Sequence, residues 1–431
     1  MESKSQPGEP NIVDVTIENG PSLALDETRS ERTWPAWLTV VGSFLVYFVA
    51  FGYMNSFGFF QNYYAKHDLS ESSPAIIALI GSLQPGLMYL VGPITGAVFD
   101  AYGHRWLYFA GAVGAIISCL GLSFAQHQHI WQHFLSQGLL FGLTMSFGTT
   151  VALAVASQHF ERNRALVMGI IATGSSAGGV CFPIMFSRLV PAIGFRWTVR
   201  VMPIFFLVCY GTAIVISRPK MAPRSMKSLR EIVDFEGFRD VRYSVLAVAT
   251  VIGNLGLYVP YNYMEPYFGL HFPEAAIGSY SLTLVNGASF FGRVLGGLAA
   301  DKLGTLNVLY PITTLCGLLC LTMWLLAGSP AMLVAFICLY GFCSGVYISI
   351  MPSIIVRISP AKKTGARLGA FFSLSAIGVF TGTPIGGAFL REGTKGEFRS
   401  LILFAGSTMA CAGVLLFGAR LLCQRDLRTR W

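Results

Sequence analysis

Twelve apolar runs follow one another through this chain, each about as long as a helix must be to cross a hydrocarbon layer, and short polar segments separate them. A helix rises about 1.5 Å per residue, so about 20 apolar residues cover the roughly 30 Å of hydrocarbon. The runs fall near 37–64, 75–99, 107–126, 133–159, 165–189 and 199–217, and then near 243–270, 278–300, 307–327, 330–353, 366–390 and 400–422. No water lies within the hydrocarbon to satisfy backbone groups, so each run must form its own helical ladder. The expected class is therefore an all-α membrane protein. Composition agrees: 12% of residues are charged and 54% hydrophobic, against about 25% charged in soluble domains.

Domain limits follow from the same pattern. Residues 1–36 read as a disordered cytoplasmic tail without the apolar run of a removable signal peptide. Residues 37–217 form one six-helix half, 218–242 a charged cytoplasmic loop, 243–422 the second half and 423–431 a cytoplasmic tail. With the N-terminus inside, about 22 of the 30 Lys and Arg fall on the inner side, as the positive-inside bias requires. Both termini are thus expected in the cytoplasm, most simply at a plasma membrane. The formal charge of +9 is spent on orientation, and no nucleic-acid partner is expected. Nine cysteines sit in apolar stretches without a Cys-x-x-Cys pair and read as packing residues.

The chain also repeats itself. Gly96, Asp100 and Gly103 close the second run; Gly297, Asp301 and Gly304 close the eighth, about 201 residues later. Pro183 and Pro384 share that offset. Two pseudo-symmetric six-helix halves are the signature of a duplicated transporter. Glycines spaced by four (Gly92/Gly96, Gly138/Gly142, Gly341/Gly345, Gly378/Gly382/Gly386) let helices approach closely in lipid, either for static packing or for sliding.

The stretch Gly96-Ala-Val-Phe-Asp100-Ala-Tyr-Gly103-His-Arg105 resembles the loop signature of the major facilitator superfamily, and Gly297 to Gly304 supplies a second copy. The resemblance implies the twelve-helix major facilitator fold. It also implies a conformational latch at Gly96, Asp100, Gly103, Arg105, Gly297 and Asp301, rather than a substrate site. Further stretches, Phe57-Gly-Phe-Phe-Gln61-Asn-Tyr-Tyr64, Phe160-Glu-Arg162-Asn-Arg164 and Phe291-Gly-Arg293-Val-Leu-Gly296-Gly297, look like the monocarboxylate-porter branch, particularly its fungal members. The likeness runs from about residue 34 to 422. It departs before the first span, where Glu31-Arg32-Thr33 stands in place of the branch's Asp-Gly-Gly. Animal members handle substrate with an Arg in span eight, matching Arg293. They add an acid one turn earlier and a Lys in span one; Ser289 and Asn55 stand there in this chain. A simple lactate–proton symporter is thereby disfavoured. The Gly-Pro…Gly-Gly signature of drug antiporters is also replaced, by Cys181-Phe182-Pro183.

Charge deep in lipid is costly and marks function. Two residues qualify, Arg293 and Glu265. Arg293 either grips an anionic substrate group through its guanidinium fork or bonds to backbone carbonyls. Glu265, before Pro266, either carries a coupling proton or sits exposed at the interface. Polar residues within spans are cavity candidates or interhelical glue: Tyr53, Asn55, Ser56 and Gln61, Gln84, Thr173, Ser175 and Ser176, Tyr261 and Asn262, and Asn286. Of these, Arg293, Asn55, Tyr53, Gln84, Tyr261, Asn262 and Asn286 are taken as the substrate set. His127, His129 and His133 read as a solvated loop and not as a metal site.

No phosphate-cradling Gly-x-x-x-x-Gly-Lys-[Ser/Thr] loop, His-Glu-x-x-His site or aspartate-rich prenyl motif occurs. ATP-driven pumping and intramembrane catalysis lack their residues, and no cofactor is expected. The expected function is secondary active transport of a small organic solute, monocarboxylate-like or a secondary metabolite, by a monomer in a lipid bilayer, with a proton as candidate coupling ion. Efflux of a fungal secondary metabolite and a non-transporting sensor on the same scaffold are the alternatives; flux separates them.

Overall fold

The structure is a computed structural model. It describes residues 33–72, 74–221, 235–360, 363–390, 394–424, 426 and 429. The N-terminal tail through 32, most of the central loop and much of the C-terminal tail lie outside the described residues, and with them the expectations placed there.

Twelve helical passes account for the described chain, which is all helix with connecting turns. They are α1 (Trp34–Lys66), α2 (Pro74–Leu90 and Gly92–Tyr102), α3 (Arg105–Ser123), α4 (Ile130–Ser157) and α5 (Arg164–Ile193). There follow α6 (Phe195–Ile216), α7 (Val241–His271), α8 (Ser281–Leu303), α9 (Thr305–Trp324) and α10 (Pro330–Ile358). The last are α11 (Thr364–Ala388) and α12 (Lys395–Cys423). Eleven are long and apolar enough to cross a membrane; the remaining one, α2, is in two pieces. The expected spans agree within about five residues at each end, the ordinary error of sequence-drawn boundaries.

Pro93 explains the break in α2. It has no N–H for the carbonyl four residues back, Tyr89 O. Ser373 of α11 supplies the missing donor: its Oγ bonds to Tyr89 O at 3.0 Å and to Leu90 O at 2.9 Å. In lipid such a replacement is required, because an unpaired carbonyl would have no water to turn to. The breaks in α1, at Ser56, and in α7, at Tyr258, stand nearly at the repeat offset, so the duplication is visible in backbone irregularities too.

The halves meet along two seams, α2 with α11 and α5 with α8, built on glycine. A methyl group on Gly96 would fall 2.1 Å from Gly365 O, and one on Gly297 would fall 2.6 Å from Ala165 O. Only hydrogen at these positions lets the backbones touch. Gly103 (φ 78°) and Gly304 (φ 103°) adopt the left-handed region at the ends of α2 and α8, so the same turn ends both copies of the motif.

Just before each turn an aspartate reaches into the other half. Helices α10 and α12 cap their own N-termini, through Ser329 and through a Thr394–Glu397 capping box. Helices α5 and α11 do not: Asn163 and Lys363 make no side-chain cap. Instead Asp301 accepts from Ala165 N at 3.0 Å and Leu166 N at 2.8 Å, and Asp100 accepts from Ala366 N at 3.1 Å. Each half thus caps a helix of the other, with the carboxylate at the positive end of the helix dipole. The start of the first helix and the end of the last lie at this same face, which the cross-caps seal. There α1 starts beside the end of α6 (Arg218 N to Thr39 Oγ1, 3.0 Å) and α12 ends beside the start of α9 (Arg420 Nε to Asn307 Oδ1, 2.5 Å).

Candidate functional site

A cavity of about 370 Å³ lies between the halves. At one end its lining residues Gly58, Asn262 and Glu265 are exposed. At the other, Leu153, Met168 and Pro352 are buried. It therefore opens on the face opposite Asp100 and Asp301.

Arg293 lines this cavity from the middle of α8 while only 5% exposed. Its Nε donates to Ser289 Oγ at 3.2 Å, and its Nη1 reaches across to α5, donating to Ala172 O and Ser175 Oγ. Its Nη2 has no partner among the described residues. Both sequence alternatives thus describe it: it bonds to a backbone carbonyl and it faces the cavity. No carboxylate of the described residues bonds to it. Glu265, at the mouth, is the one acidic group lining the cavity among the described residues. An uncompensated cation in a low-dielectric wall attracts an anion strongly.

Polar groups surround the guanidinium on both sides. Asn55 donates to Ser175 O at 3.3 Å, and Asn286 to Leu282 O at 2.9 Å; the two amides meet beside Gly179. Tyr261 hydrogen-bonds with Ser344 Oγ at 2.8 Å, and Asn262 donates to Tyr258 O and Thr383 Oγ1. The structure thus brings Arg293, Asn55, Asn286, Tyr261, Asn262 and Glu265 to one cavity.

Two members of the expected substrate set lie elsewhere. Tyr53 is fully buried among Phe60, Phe141, Phe186 and Phe206, inside the N-terminal half. Two residues before Asn55, it points about 200° away around the helix. Gln84 is also fully buried, against Gly142 of α4, while its neighbour Pro85 lines the cavity. Arg105 is exposed at the start of α3 and forms no hydrogen bond or ion pair with the described residues. His133, expected in a solvated loop, is buried in the first turn of α4, with Asp68 3.7 Å away. His127 and His129 are exposed.

Sequence reasoning found the α7 side of the hydroxyl wall, where Tyr258, Tyr261 and Tyr263 stood out as an amphipathic face, and missed the rest. Tyr47 and Tyr89 line the cavity beside Phe51, Phe57 and Phe372, and α2 contributes Ser82 and Met88. Tyrosines in apolar runs are indistinguishable from core residues unless the helix face is known.

Comparison with known proteins places this geometry in context. A family model described as the Major Facilitator Superfamily matches residues 39–329 and 244–426. The chain is 33% identical over 386 residues to an Aspergillus flavus protein named MFS transporter asaE, covering 90% of this chain and 87% of that one. It is 32% identical over 411 residues to the aspyridones efflux protein apdF of Emericella nidulans (95% and 82% covered). It is 34% identical over 414 residues to the agnestins efflux protein AgnL12 of Paecilomyces divaricatus (94% of each). A solved structure, the human organic anion transporter MFSD10 (TETRAN), superposes with a TM-score of 0.69 at 16% identity, over 90% of this chain and 99% of that one. That likeness bears on the fold. With two cross-capped six-helix halves around a central cavity, and with relatives of this extent, the chain is a multi-pass membrane transporter that belongs to the major facilitator superfamily.

Proposed function

We propose that this protein exports a small organic acid, a secondary metabolite of fungal type, by alternating access between the state described here and one in which the sealed face parts. The observation that carries the reading is Arg293, buried at mid-depth in the cavity wall, with Nη2 unpartnered and no acid beside it among the described residues. Such a site binds a carboxylate or an acidic enolate. Asn55, Asn286, Tyr261 and Asn262 hold its neutral polar groups, and the aromatic wall takes an unsaturated or ring-bearing body. The monocarboxylate-porter likeness supports an anionic cargo, and the relatives named as efflux proteins support the direction.

Asp100 and Asp301 latch the sealed face, which the positive-inside bias assigns to the cytoplasm of a plasma-membrane carrier. Glu265, exposed at the mouth, is the candidate proton carrier, since a carboxylate there can exchange with the outer medium while the cavity faces it. One monomer contains the whole path.

The test is untargeted mass spectrometry of cells and medium, with and without the protein. The expected result is one acidic compound that accumulates in deficient cells and falls in their medium. A compound that instead stays in the medium of deficient cells would make uptake the function.

A further inference from the structure

The two seams share their capping pattern but differ midway along their length. Asp100 matches Asp301, Gly96 matches Gly297 and Ala366 matches Ala165, all at the repeat offset. At that offset Ala172 matches Ser373, and Arg293 matches Gly92. In the α2–α11 seam Gly92 lies against Gly369, and Ser373 serves the freed carbonyls of α2. In the α5–α8 seam the glycine's counterpart is the arginine, and its side chain crosses to Ala172 O and Ser175 Oγ on α5. Midway along, one seam pairs a glycine contact with neutral hydroxyl bonds, whereas the other carries a cationic side chain from one half to the other.

That bond uses the nitrogen a substrate needs. A guanidinium grips a carboxylate best with two nitrogens in parallel. In the state seen here α5 occupies Nη1 and Ser289 occupies Nε, so the cavity is offered Nη2 alone. When the α5–α8 seam parts, Ala172 and Ser175 withdraw, and Nη1 and Nη2 together form an end-on fork. We propose that α5 acts as a built-in competitor for Arg293, so that the carrier holds an anionic cargo more tightly when it faces the side of its termini than when the cavity opens on the opposite side. Cargo is gripped on one side by two prongs and presented on the other by one. The sidedness is linked to the conformational equilibrium: the empty carrier favours the present state, where α5 accepts from Nη1, and cargo draws it toward the other. Ser175 is on this view a positioning residue for release, acting through Arg293.

The inference rests on reading Arg293 as the anion anchor, and the experiment separates the two. Purified protein is titrated calorimetrically with 2-naphthoate, an aromatic monocarboxylate, in four forms: wild type, Ser175→Ala, the capping variant Asp100→Ala/Asp301→Ala, and the capping variant with Ser175→Ala. Serine to alanine needs no added space, and the Ser175 carbonyl that receives Asn55 remains. The capping variant, shifted away from the sealed state, is expected to bind up to about tenfold tighter than wild type, the contribution of one charge-assisted bond or about 1.4 kcal/mol. Ser175→Ala alone removes one of two α5 acceptors and tightens binding about threefold. In the capping variant, where α5 has already withdrawn, the same change has little further effect. A Ser175→Ala gain of equal size in both backgrounds, or a loss of affinity in wild type, overturns the competition. Arg293→Gln decides the underlying reading: binding retained in that variant, or no saturable binding by wild type, removes the anchor itself. Binding abolished by Arg293→Gln with a neutral Ser175→Ala removes only the competition.

Discussion

Reciprocal capping gives a measurable grip on the sealed state. Replacing Asp301 by alanine strips two backbone N–H groups of α5 of their acceptor, and replacing Asp100 does the same for Ala366 of α11. Loss of a capping side chain costs about 1 kcal/mol, within a range of about 0.5–2. Here the loss falls only on the sealed state, because the aspartate and the helix it caps belong to halves that separate. Each substitution should therefore raise the unsealed fraction about fivefold. The two seams share no residues, so their effects should multiply to about thirtyfold. Asparagine caps about as well as aspartate and should give much smaller shifts. The assay places a single cysteine at Thr149, a buried residue lining the cavity, in a cysteine-free background, and measures labelling by a membrane-impermeant maleimide from the sealed side. That rate reports the minor, unsealed population. Labelling unchanged in both single variants, or a double variant no faster than the faster single one, would refute the reasoning.

Two further outcomes follow from residues off the transport path. Tyr53 Oη has no hydrogen-bond partner within its aromatic cage, so Tyr53→Phe should leave flux and thermal stability unchanged or slightly improved, whereas Tyr53→Ala should cost about 3–5 kcal/mol by emptying the cage; loss of flux in the phenylalanine variant would return Tyr53 to the substrate path. His104, in the turn between α2 and α3, is 2% exposed, and burial, helped by the positive charges of Arg105 and Arg218, pushes its pKa down to about 4. An unfolded histidine titrates near 6.5, so the folded state binds the proton less well; the stability this residue contributes is complete above about pH 6.5 and is lost as the pH falls toward 4, by an amount of order 2 kcal/mol. Thermal unfolding at pH 7 and pH 5 should show that loss in wild type and a flatter profile in His104→Gln; equal profiles would contradict the assignment.

The legible and illegible parts of this molecule divide along physical lines. Helix count and limits were legible because lipid forbids alternatives to a 20-residue helical ladder. Arg293 was legible because a charge in the middle of a span is too costly to be incidental. The facing of each helix was not. In a span apolar all round, hydropathy does not separate the cavity side from the core side, so Tyr53 and Asn55, or Gln84 and Pro85, read alike although they face different surroundings. Tyr47 and Tyr89 of the cavity wall were lost for the same reason. The motif aspartates stood out by their repeat, yet their partners did not, since Asp100 and Ala366 are 266 residues apart.

Reciprocal capping also bears on how the protein is made. Asp301 follows Ala165 by 136 residues, and chains are extended at about 5–20 residues per second, so the start of α5 waits roughly 7–27 s for its cap. From the end of α6 onward every helix of the first half exists, but one of them has an open end. The first half is thus complete in sequence before it is complete in hydrogen bonding, and the last step of its assembly is performed by the second. A chain ending at the central loop would keep that defect, which makes the two halves co-dependent from birth despite their common pattern.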